Sequence, residues 1–165
     1  MTAILVYVDD IIIIGSDKEG FKATKEFLKS MFEIKDLGEM KYFLGIEICK
    51  SKEGLFMFQR KYTLDLLKGA SAYGGKTARM PTEDGYKVPR EGEIEDNKPF
   101  HDPKLYRKLV GKLIYLTITR PDICFAVSQH IQVSKEHRWC MVERILMYLN
   151  GSSDKGVWMS YNWKH

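Results

Sequence analysis

The sequence has no apolar run long enough to cross a lipid bilayer. Its most apolar stretch, residues 3–14, is interrupted by Asp9 and Asp10, so we interpret it as core strands rather than as a targeting or membrane segment. We therefore expect no membrane partner. The three cysteines lack metal-ligand spacing. An odd number without a secretory signal indicates reduced thiols and an intracellular location, in the cytoplasm or the nucleus.

A strong excess of charge of one sign is also missing. The chain has 26 Lys and Arg against 22 Asp and Glu, a net charge of +4. That charge permits a phosphate-backbone partner without requiring one. With 44% hydrophobic and 29% charged residues, the composition excludes disorder of the whole chain. No internal repeat of solenoid period is present.

Two short β-branched runs flank a pair of acids near the N-terminus. Residues 4–8 lead into Asp9 and Asp10, and residues 11–14 lead out. This pattern predicts a tight hairpin with both acids at its exposed rim. Two carboxylates so close repel each other, and a divalent cation such as Mg²⁺ is the natural compensation. Acids that hold two metals can serve phosphoryl transfer, whereas the alternative is a solvated turn, where Asp is common.

The residues Tyr7-Val8-Asp9-Asp10 inside an apolar hairpin resemble the catalytic hairpin of reverse transcriptases. Later stretches, in the same order along the chain, resemble copia-type retrotransposon polymerases. These stretches are Phe32–Gly38, Lys41–Ile48, Gln59–Tyr62, Tyr106–Gly111, Tyr115–Ile123 and Arg144–Leu149. Together with the hairpin they cover most of residues 4–158.

The resemblance implies roles for residues in the first part of the chain. Asp9 and Asp10 would be catalytic and would bind Mg²⁺, with Asp9 the direct ligand and Asp10 supporting it. Phe43, Leu44 and Gly45 would form a primer grip that holds the primer end, where the alternative is an ordinary half-buried strand. Lys35 would lie near the nucleotide triphosphate, unless it is a solvated turn lysine.

A basic face is predicted on the first helix of the second half. Four residues recur opposite a leucine stripe, namely Lys104, Arg107, Lys108 and Lys112. Such a face could bind a nucleic-acid backbone weakly and without regard to sequence, although solvated faces of this kind are common.

The predicted fold class is α+β, a partial polymerase palm followed by a small helical thumb and the start of a connection. Residues 1–70 would be the palm, an antiparallel sheet with a helix on one face. The palm would contain the hairpin, a helix over 18–32, strands over 41–49 and 55–58, and a helix over 59–70. Residues 71–100 would be an irregular connector. Residues 101–165 would hold three helices, which begin near 102, 121 and 134, and a last strand over 156–161 without a partner.

The family pattern needs a third carboxylate and covering fingers, and no segment of this sequence resembles either. We therefore expect a truncated reverse transcriptase-like protein, with an ancestral activity of RNA-directed DNA polymerisation, that is inactive alone. The alternative is a domesticated, non-enzymatic module that binds nucleic acid or protein. An uncovered sheet edge would favour self-association or a protein partner.

Overall fold

The computed structural model describes residues 2–82, 100–128 and 136–161, apart from the side chains of 136–138. The chain divides into two compact units, Met1–Met40 and Lys41–His165. Antiparallel sheets and α-helices occur in the same chain, so the predicted α+β class is confirmed. The palm and thumb boundaries proposed from the sequence stay a prediction. No helix in the described ranges is long and apolar enough to cross a membrane.

The first unit is a hairpin followed by a helix, as predicted. Strand β1 (Thr2–Tyr7) pairs antiparallel with β2 (Asp10–Gly15), and helix α1 (Lys18–Met31) follows. The helix begins where it does because the Asp17 carboxylate accepts hydrogen bonds from the backbone N–H groups of Glu19 and Gly20, at 3.1 and 3.0 Å. Such caps satisfy donors that have no partner inside the helix.

The first unit has almost no core. The sequence suggested fully buried strands, but no residue between 2 and 40 is buried. On α1, the apolar residues Phe27 and Met31 are one turn apart, and both are 62% exposed. One helix and two strands form layers too small to cover each other.

The second unit contains a four-stranded antiparallel sheet in the order β3-β4-β5-β6. Its strands are β3 (Tyr42–Phe43), β4 (Ile46–Lys50), β5 (Gly54–Phe58) and β6 (Gly156–Ser160). Three expectations change here. The palm strands belong to two separate sheets, the single strand predicted over 41–49 is broken by a turn, and the last strand does have a partner, β5.

Glycines permit the pairing of β5 with β6. A Cβ at Gly54 would lie 2.2 Å from the Met159 carbonyl oxygen and 2.9 Å from the Trp158 ring, and one at Gly156 would lie 2.3 Å from the Met57 carbonyl oxygen. A larger residue at either position would therefore push the two strands apart.

The helices of the second unit form its core. They are α2 (Arg60–Gly69), α3 (Pro103–Leu116), α4 (Cys124–Ser128) and α5 (Glu136–Asn150), with a 3₁₀ turn at Pro121–Ile123. Helix α3 begins near residue 102, as predicted, because Asp102 accepts hydrogen bonds from the N–H groups of Lys104 and Leu105, with Pro103 in the first turn. Side chains from all four helices meet in one buried cluster, including Leu66, Leu67, Leu109, Leu113, Leu116, Ala126, Val142, Ile145 and Leu149. The predicted start of the third helix near residue 134 and most of the predicted connector lie outside the described residues.

The buried guanidinium group of Arg120 joins three segments of the second unit. Arg120 is 2% exposed and donates to the Ser152 carbonyl oxygen at 2.7 Å and to Ser152 Oγ at 2.9 Å. It also forms a two-pronged ion pair with Asp122, with Nε–Oδ1 at 2.9 Å and Nη2–Oδ2 at 2.7 Å. Tyr148 on α5 donates to the same carboxylate at 2.6 Å. The network thus joins the end of α3, the end of α5 and the segment that enters β6.

Replacing Asp122 should destabilise the second unit and change its response to acid. Burial of Asp122 opposes ionisation, but the hydrogen bonds from Arg120 and Tyr148 outweigh it and hold the pKa of the carboxyl below its ordinary value. The stabilisation is therefore present above about pH 4, the unfolded value, and is lost as the pH falls through the lower folded value. We expect Asp122→Asn to lower the free energy of unfolding at pH 7 by about 2 kcal/mol, less than for a fully buried pair because Asp122 is partly exposed.

Denaturant titrations between pH 2 and pH 7 measure this effect. The control is Asp154→Asn, which removes the same charge from an exposed residue nearby. Equal loss of stability in the two variants, or a difference that persists unchanged at pH 2, would contradict the role of the ion pair.

Candidate functional site

The hairpin places the two acids at its tip. Tyr7 pairs with Asp10, so Val8 and Asp9 form a two-residue loop and Asp10 is the first residue of β2. Val8 has a φ of 50° and is 81% exposed. A β-branched residue rarely adopts the left-handed region, and holding one there costs on the order of 1–3 kcal/mol. The tip is therefore strained, as backbones at functional sites often are.

The tip carries donors of the type that Mg²⁺ prefers. Asp9 and Asp10 are adjacent and both exposed. Among the described side chains, no cation forms an ion pair with either acid, and no group of three or more His, Cys, Asp or Glu residues could hold a metal. Mg²⁺ is commonly held by one or two carboxylates together with substrate phosphates and water. The two acids thus fit part of a magnesium site, and the other ligands must come from elsewhere.

The loop after α1 is held by a contact that the sequence interpretation missed. Lys25 and Lys29 on α1 reach Asp36 at 2.6 and 3.5 Å, and the Gly38 N–H donates to Asp36 Oδ1 at 3.0 Å. The hydrogen bonds from Lys25 and Gly38 lower the pKa of Asp36 to about 2. The Asp-Leu-Gly order, with Gly38 at a φ of 79°, is a recognisable signal for such a side-chain-closed turn. Lys35 is exposed in the same loop, and its place near a nucleotide stays a prediction.

The predicted primer-grip residues form a tight turn. Phe43 pairs with Ile46, and Leu44 and Gly45 between them have φ values of 48° and 81°. Two successive positive φ angles define the type I′ hairpin turn, which suits glycine and strains leucine. The Leu44 side chain is 38% exposed at the turn, and the Tyr115 hydroxyl on α3 donates to the Leu44 carbonyl oxygen. The residues predicted for this role are therefore brought together by the backbone.

The basic face of α3 has the predicted orientation. Lys104, Arg107 and Lys108 are exposed and Lys112 is half-buried, while Leu109, Leu113 and Leu116 on the opposite side are buried. Arg107 Nε donates to the Pro103 carbonyl oxygen at 3.3 Å, which directs part of this side chain along the helix. The acids and Lys35 belong to the first unit, whereas the turn and this face belong to the second.

Along the chain, an acidic hairpin tip is followed by a type I′ turn and a basic helix, which is the order that the resemblance to reverse transcriptases implies. Comparison with known proteins agrees. The family model described as "Reverse transcriptase (RNA-dependent DNA polymerase)" matches residues 2–84. The chain therefore belongs to the reverse transcriptase family.

The curated relatives narrow the class to copia-type elements. The retrovirus-related Pol polyprotein from transposon RE2 of Arabidopsis thaliana is 37% identical over 94% of this chain and 11% of its own length. The corresponding polyprotein from transposon TNT 1-94 of Nicotiana tabacum is 30% identical over 91% of this chain and 12% of its own. An uncharacterized mitochondrial protein of Arabidopsis thaliana is 35% identical over 98% of this chain and 66% of its own.

The sequence is thus that of a copia-type reverse transcriptase fragment, which spans about a tenth of the length of the polyproteins it matches. No solved structure matches this chain.

Proposed function

We propose that this chain supplies the metal-binding hairpin and the primer-contacting turn of RNA-directed DNA polymerisation, and that it does not polymerise alone. The observation that carries the proposal is the pair of exposed carboxylates at a strained hairpin tip. Bound there, Mg²⁺ would activate the primer 3′-hydroxyl and stabilise the leaving pyrophosphate. Asp9 and Asp10 provide the negative charge and the oxygen ligands that hold it.

The second unit supports the same function through binding. The Leu44–Gly45 turn presents an exposed apolar side chain and backbone groups, which suit contact with the end of a strand. The basic face of α3 suits contact with phosphates, without regard to base sequence. We expect no activity from the chain alone, because two adjacent carboxylates are too few ligands for a two-metal site. Its three free, exposed cysteines favour a reducing compartment, the cytoplasm or the nucleus.

The hairpin should bind a divalent cation without supporting primer extension. We expect Mn²⁺, a paramagnetic substitute for Mg²⁺, to broaden the amide NMR signals of residues 8–11. We expect Asp9→Asn to weaken this binding roughly tenfold, since half of the carboxylate pair is lost, and Asp65→Asn on α2 to leave it unchanged. A primed template with Mg²⁺ and deoxynucleotides should show no extension.

Two results would revise the proposal in opposite directions. Extension that disappears in Asp9→Ala would make the chain an enzyme in its own right. Mn²⁺ broadening that is absent, or equal in Asp9→Asn, would favour the alternative of a domesticated, non-enzymatic binding module.

Nucleic-acid binding should be weak, independent of sequence and steeply dependent on salt. Each phosphate neutralised by Lys or Arg contributes about −0.9 to the slope of log K against log salt for duplex DNA. We expect the double variant Lys104→Gln/Lys108→Gln to reduce the magnitude of this slope by up to about 1.8. The control Lys52→Gln/Lys76→Gln removes the same charge from exposed residues elsewhere. Equal slopes for the two double variants would exclude α3 as the contact surface.

The first unit should also self-associate through β1. In the part of the chain that the structure describes, β1 pairs with β2 alone, so its other edge presents unpaired backbone groups beside exposed Ile4, Leu5 and Val6. The strand contains no charged residue. Two copies can therefore meet edge to edge across a twofold axis without charge repulsion.

Sedimentation at several concentrations tests this association. We expect dimers or larger species at high micromolar concentration, and a shift towards monomer in Val6→Lys, because an edge lysine opposes strand pairing. Ile118→Lys makes the same substitution at a residue of similar exposure in the second unit. A wild-type chain that stays monomeric would show that this edge is covered.

A further inference from the structure

The last turn of α3 contacts the turn between β3 and β4. The Tyr115 hydroxyl donates a hydrogen bond to the Leu44 carbonyl oxygen, across 71 residues of sequence. The ring also lies beside Gly45, since a Cβ added there would be 3.9 Å from both Cε1 and the hydroxyl oxygen of Tyr115. Helix and turn are therefore joined by one polar contact and one close approach.

The turn needs such a support. Strand β3 has two residues and lies at the edge of its sheet, so little pairing holds the turn on that side. Leu44 has a φ of 48°, which disfavours leucine, and strained residues persist only where the surrounding structure holds them. The bond from Tyr115 acts on the carbonyl group of this strained residue.

Tyr115 is itself held by α2. The rings of Tyr62 and Tyr115 meet edge to face, with centroids 5.3 Å apart and planes at 68°. The Tyr62 hydroxyl donates to the Lys112 carbonyl oxygen at 3.4 Å, one turn before Tyr115 on α3. Burial, with a smaller effect from Tyr115, raises the pKa of Tyr62, so this hydroxyl stays protonated and able to donate at neutral pH. A rigid support thus extends from α2 through Tyr115 to Leu44.

We propose that Tyr115 is a positioning residue that sets the conformation of the Leu44–Gly45 turn and thereby its contact with a primer end. This inference rests on the proposed function of the turn as a primer grip. Tyr115 acts through the Leu44 carbonyl and has no part in the chemistry. Its hydroxyl matters for the turn, while its ring matters for the packing of α3 on α2.

The test separates the effect of the Tyr115 hydroxyl from the effect of its ring. Tyr115→Phe keeps the ring and its contact with Tyr62 but removes the donor, and Tyr73→Phe makes the same change at an exposed tyrosine. The full chain is labelled with ¹³C at the Leu44 carbonyl. We expect Tyr115→Phe to shift this carbonyl signal and to speed hydrogen exchange at the Gly45 and Ile46 amides, with the melting temperature changed little.

The second readout is binding of fluorescent duplexes that have the same length and either a recessed 3′ end or blunt ends. We expect the wild-type chain to prefer the recessed end and Tyr115→Phe to reduce that preference about fivefold, the effect of one hydrogen bond of about 1 kcal/mol. Tyr73→Phe should retain both the signal and the preference.

Each of the other outcomes would disprove one defined part of the proposal. An unchanged Leu44 carbonyl signal in Tyr115→Phe would disprove the hydrogen bond and, with it, the positioning role. A shifted signal with an unchanged preference for the recessed end would disprove the link to primer binding. A wild-type chain without any such preference would contradict the proposed function, even if Tyr115 still controls the turn.

Discussion

The second unit depends on the burial of one guanidinium group. Arg120 is 2% exposed, and a charge removed from water to that degree must be paired and hydrogen-bonded throughout. Its partners are Asp122, in the 3₁₀ turn after α3, and Ser152, between α5 and β6. Satisfying the cation thus fixes where the chain leaves α5 and enters β6. Since β6 pairs with β5, and β5 with β4, the position of the Leu44–Gly45 turn follows in part from this pair.

Local sequence signals predicted much of the fold because their physics is local. The tight hairpin at Asp9, the helix starts near residues 18 and 102, and the leucine stripe of α3 each depend on residues a few positions apart. The candidate site followed from the same hairpin and from a family resemblance. Its acids and its turn lie in short sequence motifs that can be recognised without any long-range contact.

Two of the features that the sequence did not predict depend on partners far away in the chain. The pairing of β6 with β5 joins residues about a hundred positions apart, and neither strand has a sequence feature that identifies its partner. The contact of Tyr115 with Leu44 has no local signal either, because a half-exposed tyrosine on a helix has many possible partners. The exposure of the first unit was missed for a different reason. Apolar strands indicate burial somewhere, but not whether the covering surface belongs to the same segment.

The strained turns at Asp9 and at Leu44 therefore differ in how much surrounding structure holds them. The Leu44 turn contacts Tyr115 on α3, a helix whose leucines belong to the buried core, so its strain is held by a packed helix. The Asp9 tip belongs to a unit whose described residues, 2–40, include no buried side chain, and a segment of that size rarely folds firmly by itself. Metal binding at the tip and cover over β1 and β2 would both favour the ordered hairpin, so each would strengthen the other by thermodynamic linkage. The geometry of the carboxylates is thus inseparable from whatever surface covers the strands that present them.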